Sequence, residues 1–403
     1  MSRIIPLMPA RSARPAGSGE TTLQFTVPPP LTLYIHFPWC VRKCPYCDFN
    51  SHAVRDGIPE DAYIAALIAD LEHSLPDIWG RRVQTVFFGG GTPSLMTPDA
   101  LDHLLTAVRA RVQLSPEAEI TLEANPGTVE AGRFAGFRDA GVNRLSIGVQ
   151  SFNDRHLDAL GRIHDASEAQ RAIELAQRTF ERVNIDLMYA LPRQTLAEAM
   201  HDLDSALATG VSHLSCYHLT LEPNTPFAAR PPELPDDDAS ADMQEAIEAR
   251  LADAGFVHYE TSAFARPGQQ CLHNLNYWQF GDYLGIGAGA HGKLSFHDRV
   301  RRDMRHKHPG AYLEGAARGD FVQESHAVGV AELPFEFMMN AARLNDGFHI
   351  DLFTRHTALP VDVLMPRLLE AREAGLLELD SGRVKPTLQG RRFLNELLQR
   401  FLD

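Results

Sequence analysis

Cysteine is sparse in this chain: five in 403 residues, an odd number, with no secretory apolar segment ahead of them. A disulfide framework of the kind that staples small secreted domains is therefore not expected. Long apolar runs are missing too. None approaches the roughly 18 residues of a membrane span, so membrane association is expected to be peripheral at most. Positive charge is scarce, with 38 lysines and arginines against 52 acidic residues and a net charge of −14. That balance speaks against a nucleic-acid partner. Two nucleotide-binding fingerprints are incomplete. After Gly89-Gly90-Gly91, Ser94 stands where G-x-G-x-x-G needs its last glycine, and the P-loop lysine is absent.

What is present is a chain with 44% hydrophobic residues, long enough for a real core and for two or three domains. Residues 1–30 are rich in Pro, Gly, Ser and Arg, lack periodicity and end in Pro28-Pro29-Pro30. They read as a disordered tail. The arginines there give only a weak likeness to an organellar targeting segment, and clustered reduced thiols fit the cytoplasm. One cationic cluster stands out: Arg299, Arg301, Arg302, Arg305 and Lys307. It reads as a solvated face, with an anion or propionate site as the rival.

Three of the five cysteines crowd into HFPWCVRKCPYCDFNSH, residues 36–52. Structural zinc usually takes two Cys-x-x-Cys knuckles, or one with a His pair, whereas Cys44-Pro-Tyr-Cys47 is a single knuckle. A dithiol redox pair would leave Cys40 without a role. A four-iron cluster with one iron left unligated by protein accounts for all three thiols. Its open iron could take a small molecule, as open metal positions do in catalytic sites. Cys-x3-Cys-x2-Cys is the signature spacing of the radical S-adenosylmethionine (SAM) family. Tyr46 and Phe49 flank the ligands as an apolar shell.

Strand-like runs alternate with helical ones. Strands are expected at 31–37, 83–89, 119–125, 143–151, 183–192 and 213–221, with helical patterns between them. This alternation means parallel βαβ units. The expected fold is α/β: a partial (β/α)6 TIM-like barrel with a C-terminal α+β, winged-helix-like module. In such barrels the chemistry gathers at the C-terminal strand ends. Those ends carry Tyr34, His36 and the cysteine loop; Gly89 to Pro93; Glu123, Asn125 and Pro126; Gln150 and Ser151; and Asp186. The triple glycine lets backbone approach a ligand closely. A second glycine-rich stretch, Gly285 to Gly292, reads as a close-packed strand or a wall of the ligand site.

From about residue 31 to the end, the sequence resembles the coproporphyrinogen-oxidase-like branch of the radical SAM family. The resemblance rests on YIHFPWCVRKCPYCDFNS, FFGGGTPS, LEANPG, RLSIGVQSF, LGRIH, NIDLMYALPRQT, YHLTLEPNTP and CLHNLNYW, in the family's order. It implies a [4Fe-4S] cluster on Cys40, Cys44 and Cys47. It also implies SAM beside Tyr34, Gly90, Gly91 and Thr92, with Glu123, Gln150, Arg162 and Asp186 completing that site.

The branch contains oxygen-independent coproporphyrinogen III oxidases and heme chaperones. Two features favour the chaperones. The oxidase pattern carries a further cysteine where this chain has Phe49. The chaperone pattern His-Asn-x-x-Tyr-Trp is intact as His273-Asn274-Leu275-Asn276-Tyr277-Trp278. The resemblance thus implies heme as a ligand and client hemoproteins, respiratory enzymes among them, as partners. The parts for reductive SAM cleavage are present, so radical enzymology stays open.

His273 is the expected ligand to heme iron, with Tyr277 and Trp278 against the macrocycle. Cys271 is a soft alternative, and no Cys-x-x-Cys-His exists for covalent attachment. Cys216 reads as a buried small apolar residue. The expected divisions are a tail (1–30), the barrel (31–230), an α/β extension (231–325) and the C-terminal module (326–403). The Asp380 to Arg383 turn looks like a wing, and a lid or client-docking surface suits this module better than DNA binding.

Overall fold

The computed structural model describes residues 23–55, 57–127 and 131–402. Twelve strands form one sheet: β1 Leu31–Phe37, β2 Arg82–Gly90, β3 Gln113–Ala124, β4 Arg144–Gln150, β5 Arg182–Tyr189, β6 His213–His218, β7 Val257–Glu260, β8 Ala263–Ala265, β9 Asp282–Ile286, β10 His291–Ser295, β11 Val300–Arg305 and β12 Val322–Ala327. Their order is β12-β11-β10-β9-β1-β2-β3-β4-β5-β6-β8-β7.

The six strands expected from sequence run parallel from β1 to β6. Their near-continuous burial explains the apolar runs that revealed them, because helices cover the outer face. The crossover helices are α1 Glu60–Ile78, α2 Pro98–Arg111, α3 Phe134–Ala140, α4 Ala166–Thr179 and α5 Leu196–Ala208. Capping boxes start two of them, Asp165 with Glu168 on α4 and Thr195 with Glu198 on α5.

The stretch after residue 231 adds strands to both edges of this sheet. Beyond β6 it adds the antiparallel pair β8 and β7. Beyond β1 it adds β9, parallel to β1, and then antiparallel β10, β11 and β12. Of the glycine-rich segment, β9 is a packed strand, and Gly289 and His291 line the cavity described below.

A second core gathers the C-terminal helices around Phe337, Phe353 and Leu368. It carries a three-stranded sheet of β13 Phe348–His349, β14 Leu377–Asp380 and β15 Arg383–Pro386. The expected wing is the tight β14–β15 turn. Ser381 and Gly382 sit there at φ 48° and 80°, the left-handed pair a two-residue hairpin favours.

Two expectations are corrected. Of the supposed tail, residues 1–22 lie outside the described residues, but Leu23 and Phe25 are buried in the second core. Phe25 also donates its backbone N–H to the His297 carbonyl at 2.9 Å, which holds this segment on the protein. The cationic cluster is a solvated face only at Arg299 and Lys307, which are exposed. Arg305 is buried against Asp70 at 2.9 Å, and Arg301 reaches Asp77 and Asp303. Arg302 pairs with Glu336 and donates to the Tyr283 hydroxyl at 2.6 Å.

Candidate functional site at the barrel mouth

The cysteine loop leaves β1 and is tied down from three sides. His36, buried at the end of β1, donates Nε2–H to the Asn50 carbonyl at 2.8 Å. That fixes the tautomer, so Nδ1 accepts from the Tyr34 hydroxyl at 3.0 Å. Burial lowers the His36 pKa to about 4, which keeps the ring neutral in this relay. Lys43 donates to the Phe49 and Ser51 carbonyls. Asn50 donates to the carbonyls of Ala288 and Lys307, pinning the loop to the wall that follows β9.

All three loop thiols are free and partly exposed. Each has a polar neighbour. Thr92 Oγ1 donates to Cys40 Sγ at 3.4 Å, Arg162 Nη1 to Cys44 Sγ at 3.7 Å, and Ser51 Oγ lies 3.7 Å from Cys47 Sγ. Thr92 and Arg162 are joined through Asn125, whose Nδ2 donates to Thr92 Oγ1 at 3.1 Å and whose Oδ1 accepts from Arg162 Nη2 at 2.6 Å. One hydrogen-bonded chain therefore links the Cys40 and Cys44 sulfurs.

Burial raises the Cys40 and Cys47 thiol pKa values, so thiolates here need a positive partner. Among the described residues no three His, Cys, Asp or Glu side chains are close enough to hold a single metal ion. A donor set of three thiols spread around one loop, beside Arg162 and Lys43, fits an anionic iron–sulfur cluster.

The neighbouring strand ends form a cradle. Gly90 has φ +116°, and a Cβ there would stand 2.5 Å from the His36 ring. Its N–H donates to Glu123 Oε2 at 3.3 Å. A Cβ on Gly91 would stand 2.5 Å from the Trp39 carbonyl oxygen. Burial, then the charge of Asp186, pushes the Glu123 carboxyl up to about 8. Burial likewise raises Asp186, against hydrogen bonds from Asn184 at 2.8 Å and Ser146 at 3.2 Å. Gln150 has φ +71° beside a β-bulge, an unusual conformation for a non-glycine residue at a strand end. The structure thus brings Tyr34, Gly90, Gly91, Thr92, Glu123, Gln150, Arg162 and Asp186 to one rim with the thiols.

A cavity of about 480 Å³ opens beside this rim. It is lined by Tyr34, His36, Gly90 and Glu123 of the rim together with Tyr277, Trp278, Tyr283, His291 and Arg302, and Phe49 and Met339 also line it. Tyr277 and Trp278 come from helix Leu272–Trp278, and Tyr277 stands edge-on to Tyr283 with ring centroids 4.5 Å apart.

His273 belongs to the same helix but does not reach the cavity. It is 1% exposed, and its Nδ1 lies 2.6 Å from Thr85 Oγ1. Its backbone N–H donates to Glu119 at 3.2 Å. Thr85 lies five residues before Gly90 on β2, and the His273 ring packs beneath the cavity-lining Tyr277 and Tyr34, with ring centroids 4.8 and 6.5 Å away. Burial drives the His273 pKa down to about 3. Cys271 is also buried, with its thiol on Glu119 and its pKa raised to about 12 by burial. Cys216 is buried, as its sequence setting suggested.

Sequence reasoning gave no role to Asn125, Asn50, Tyr283 or His291. Asn125 was visible at a strand end, and His291 lay within a glycine-rich run. The other two carried no local signal.

Residues 34–206 match the family model "Radical SAM superfamily", and residues 330–393 match "HemN C-terminal domain". "Heme chaperone HemW" of Escherichia coli (strain K12) is 50% identical over 93% of this chain and 98% of its own length. The chain belongs to the HemW family. HemW of Mycobacterium tuberculosis (strain ATCC 25618 / H37Rv) is 37% identical over 93% of this chain and 95% of its own. The solved structure "Coproporphyrinogen III oxidase (HemN) from Escherichia coli is a Radical SAM enzyme" superposes with TM-score 0.78 over 93% of this chain and 90% of that one. At 24% identity it shows that this chain and HemN share a fold.

Proposed function

We propose that this chain is a heme chaperone. It holds a [4Fe-4S] cluster on Cys40, Cys44 and Cys47, binds SAM at the adjoining cradle, and carries heme as cargo for client hemoproteins. The observation that carries this reading is a cavity lined both by Gly90 and Glu123 of the thiol rim and by the aromatic side chains Tyr277, Trp278 and Tyr283. When bound, the cluster supplies an open iron for the amino and carboxylate groups of SAM and a source of one electron. Glu123 and Asp186 offer acceptors for ammonium and ribose hydroxyl donors, and the Gly90 backbone allows close approach. The Tyr34–His36–Asn50 relay keeps the thiol loop in place. Phe49 stands where the oxidase pattern has a further cysteine, which favours cargo binding over porphyrinogen decarboxylation. Among the described residues no helix is long and apolar enough to cross a membrane. A reducing compartment such as the cytoplasm suits the thiol loop.

The test is anaerobic reconstitution, followed by heme titration and transfer to an apo-hemoprotein, a respiratory heme subunit for instance. Near-stoichiometric heme binding and recovery of client activity support the reading. Turnover of coproporphyrinogen III without heme affinity would replace it with the oxidase.

A further inference from the structure

The cavity has two histidines on its wall, His36 and His291, and they differ in available valence. Both His36 ring nitrogens are engaged, one by Tyr34 and one by the Asn50 carbonyl. His291 is exposed to the cavity, and its ring makes no hydrogen bond among the described residues. We propose that His291, rather than His273, is the side chain that ligates heme iron; this rests on the heme-cargo reading above.

Three further features support the position. The backbone on either side of His291 is held tightly. A Cβ on Gly285 would stand 2.0 Å from the His291 carbonyl oxygen, and Gly289 at φ +79° packs on Asn50. The imidazole therefore projects from a fixed strand start, as an iron ligand must. Tyr277, Tyr283 and Trp278 line the same cavity and supply aromatic surface suited to a macrocycle. Arg302 lines the cavity as a cationic donor suited to a propionate, beside its partners Glu336 and the Tyr283 hydroxyl. His273, by contrast, holds Thr85 through Nδ1, and its unpartnered Nε2 is buried beneath the Tyr34 and Tyr277 rings, outside the cavity lining.

The experiment is an anaerobic titration of the reconstituted protein with ferric heme, read by difference absorbance and by the electron paramagnetic resonance of the heme iron. His291→Ala is expected to bind at least tenfold more weakly and to lose the histidine-ligated iron signal. Added imidazole should restore that signal. His291→Gln keeps size and polarity and tests the same point if the alanine variant misfolds. His273→Ala should keep the wild-type iron signal. The proposal is overturned if both His291 variants retain the wild-type spectrum and affinity. It is equally overturned if His273→Ala or Met339→Leu alone abolishes the iron signal. Failure of the wild-type protein to bind any heme overturns the cargo reading itself, a result distinct from the others.

Discussion

Thr92 Oγ1 donates to Cys40 Sγ at 3.4 Å while accepting from Asn125, and Asn125 in turn accepts from Arg162. Hydrogen bonds behind metal ligands typically change metal affinity 10–100-fold when removed. Thr92→Val and Arg162→Gln are therefore each expected to hold iron about tenfold less tightly than wild type. Iron and sulfide analysis after anaerobic dilution and gel filtration checks this. Equal retention in both variants would show that the chain of contacts contributes nothing to the cluster.

Gly90→Ala should fail by backbone geometry. A residue with a side chain is strained at φ +116°, and its Cβ would stand 2.5 Å from the buried His36 ring. A loss of about 1–3 kcal/mol is expected. The denaturant midpoint, measured beside Gly80→Ala, is the check. Gly80 also has positive φ (+74°), but no atom lies within 4 Å of its added Cβ, so the excess loss at Gly90 reports the crowding.

Glu123 links stability to pH. Its folded pKa of about 8 lies above the ordinary carboxylate range, because burial and then Asp186 disfavour the anion. The folded state therefore keeps a proton that the unfolded chain gives up. The favourable contribution is present below the unfolded value and is lost as pH rises through about 8. Glu123→Gln carries no such titration. Its melting temperature relative to wild type should rise between pH 5.5 and 8.5, and a flat difference would count against the raised pKa. If the carboxylate serves SAM, the same variant should bind SAM more weakly.

Lys293 and Asp282 form a fully buried ion pair at 2.9 Å, with Arg81 on the second carboxylate oxygen at 2.8 Å. Removing one partner of such a group leaves charge without its counterpart in a dry interior, at a cost of about 3–5 kcal/mol. Lys293→Met should therefore unfold at markedly lower denaturant than wild type. A midpoint within experimental error of wild type would show that Arg81 alone suffices.

The strands β1 to β6 were legible because parallel strands buried on both faces leave unbroken apolar runs in the sequence. The thiol loop was legible by spacing, and the rim residues by their place at strand ends. Other features depend on distant partners. Arg305 looks solvated until Asp70, 235 positions away, is seen to face it. The short strands β7 to β12 have mixed composition and take their place only by pairing with edges already formed. His273 sits in a recognisable motif, yet a motif gives residue type and order, not depth. Which of several histidines reaches a cavity is decided by packing: His273 faces inward from its helix onto Thr85, whereas His291 opens a strand at the cavity.

The parallel pairing of β9 with β1 has a consequence for synthesis. Strand β1 is made within the first tenth of the chain, but its outer edge stays open until Asp282–Ile286 has emerged. During that interval the growing chain carries its thiol loop beside an unpaired, apolar strand edge, a hazard for association with other chains. His291 and Arg302 follow β9, so the thiols are all translated before the far wall of the cavity exists. The order of residues along the chain therefore makes the cavity a late product of folding, closed only after the last strands of the large sheet have docked.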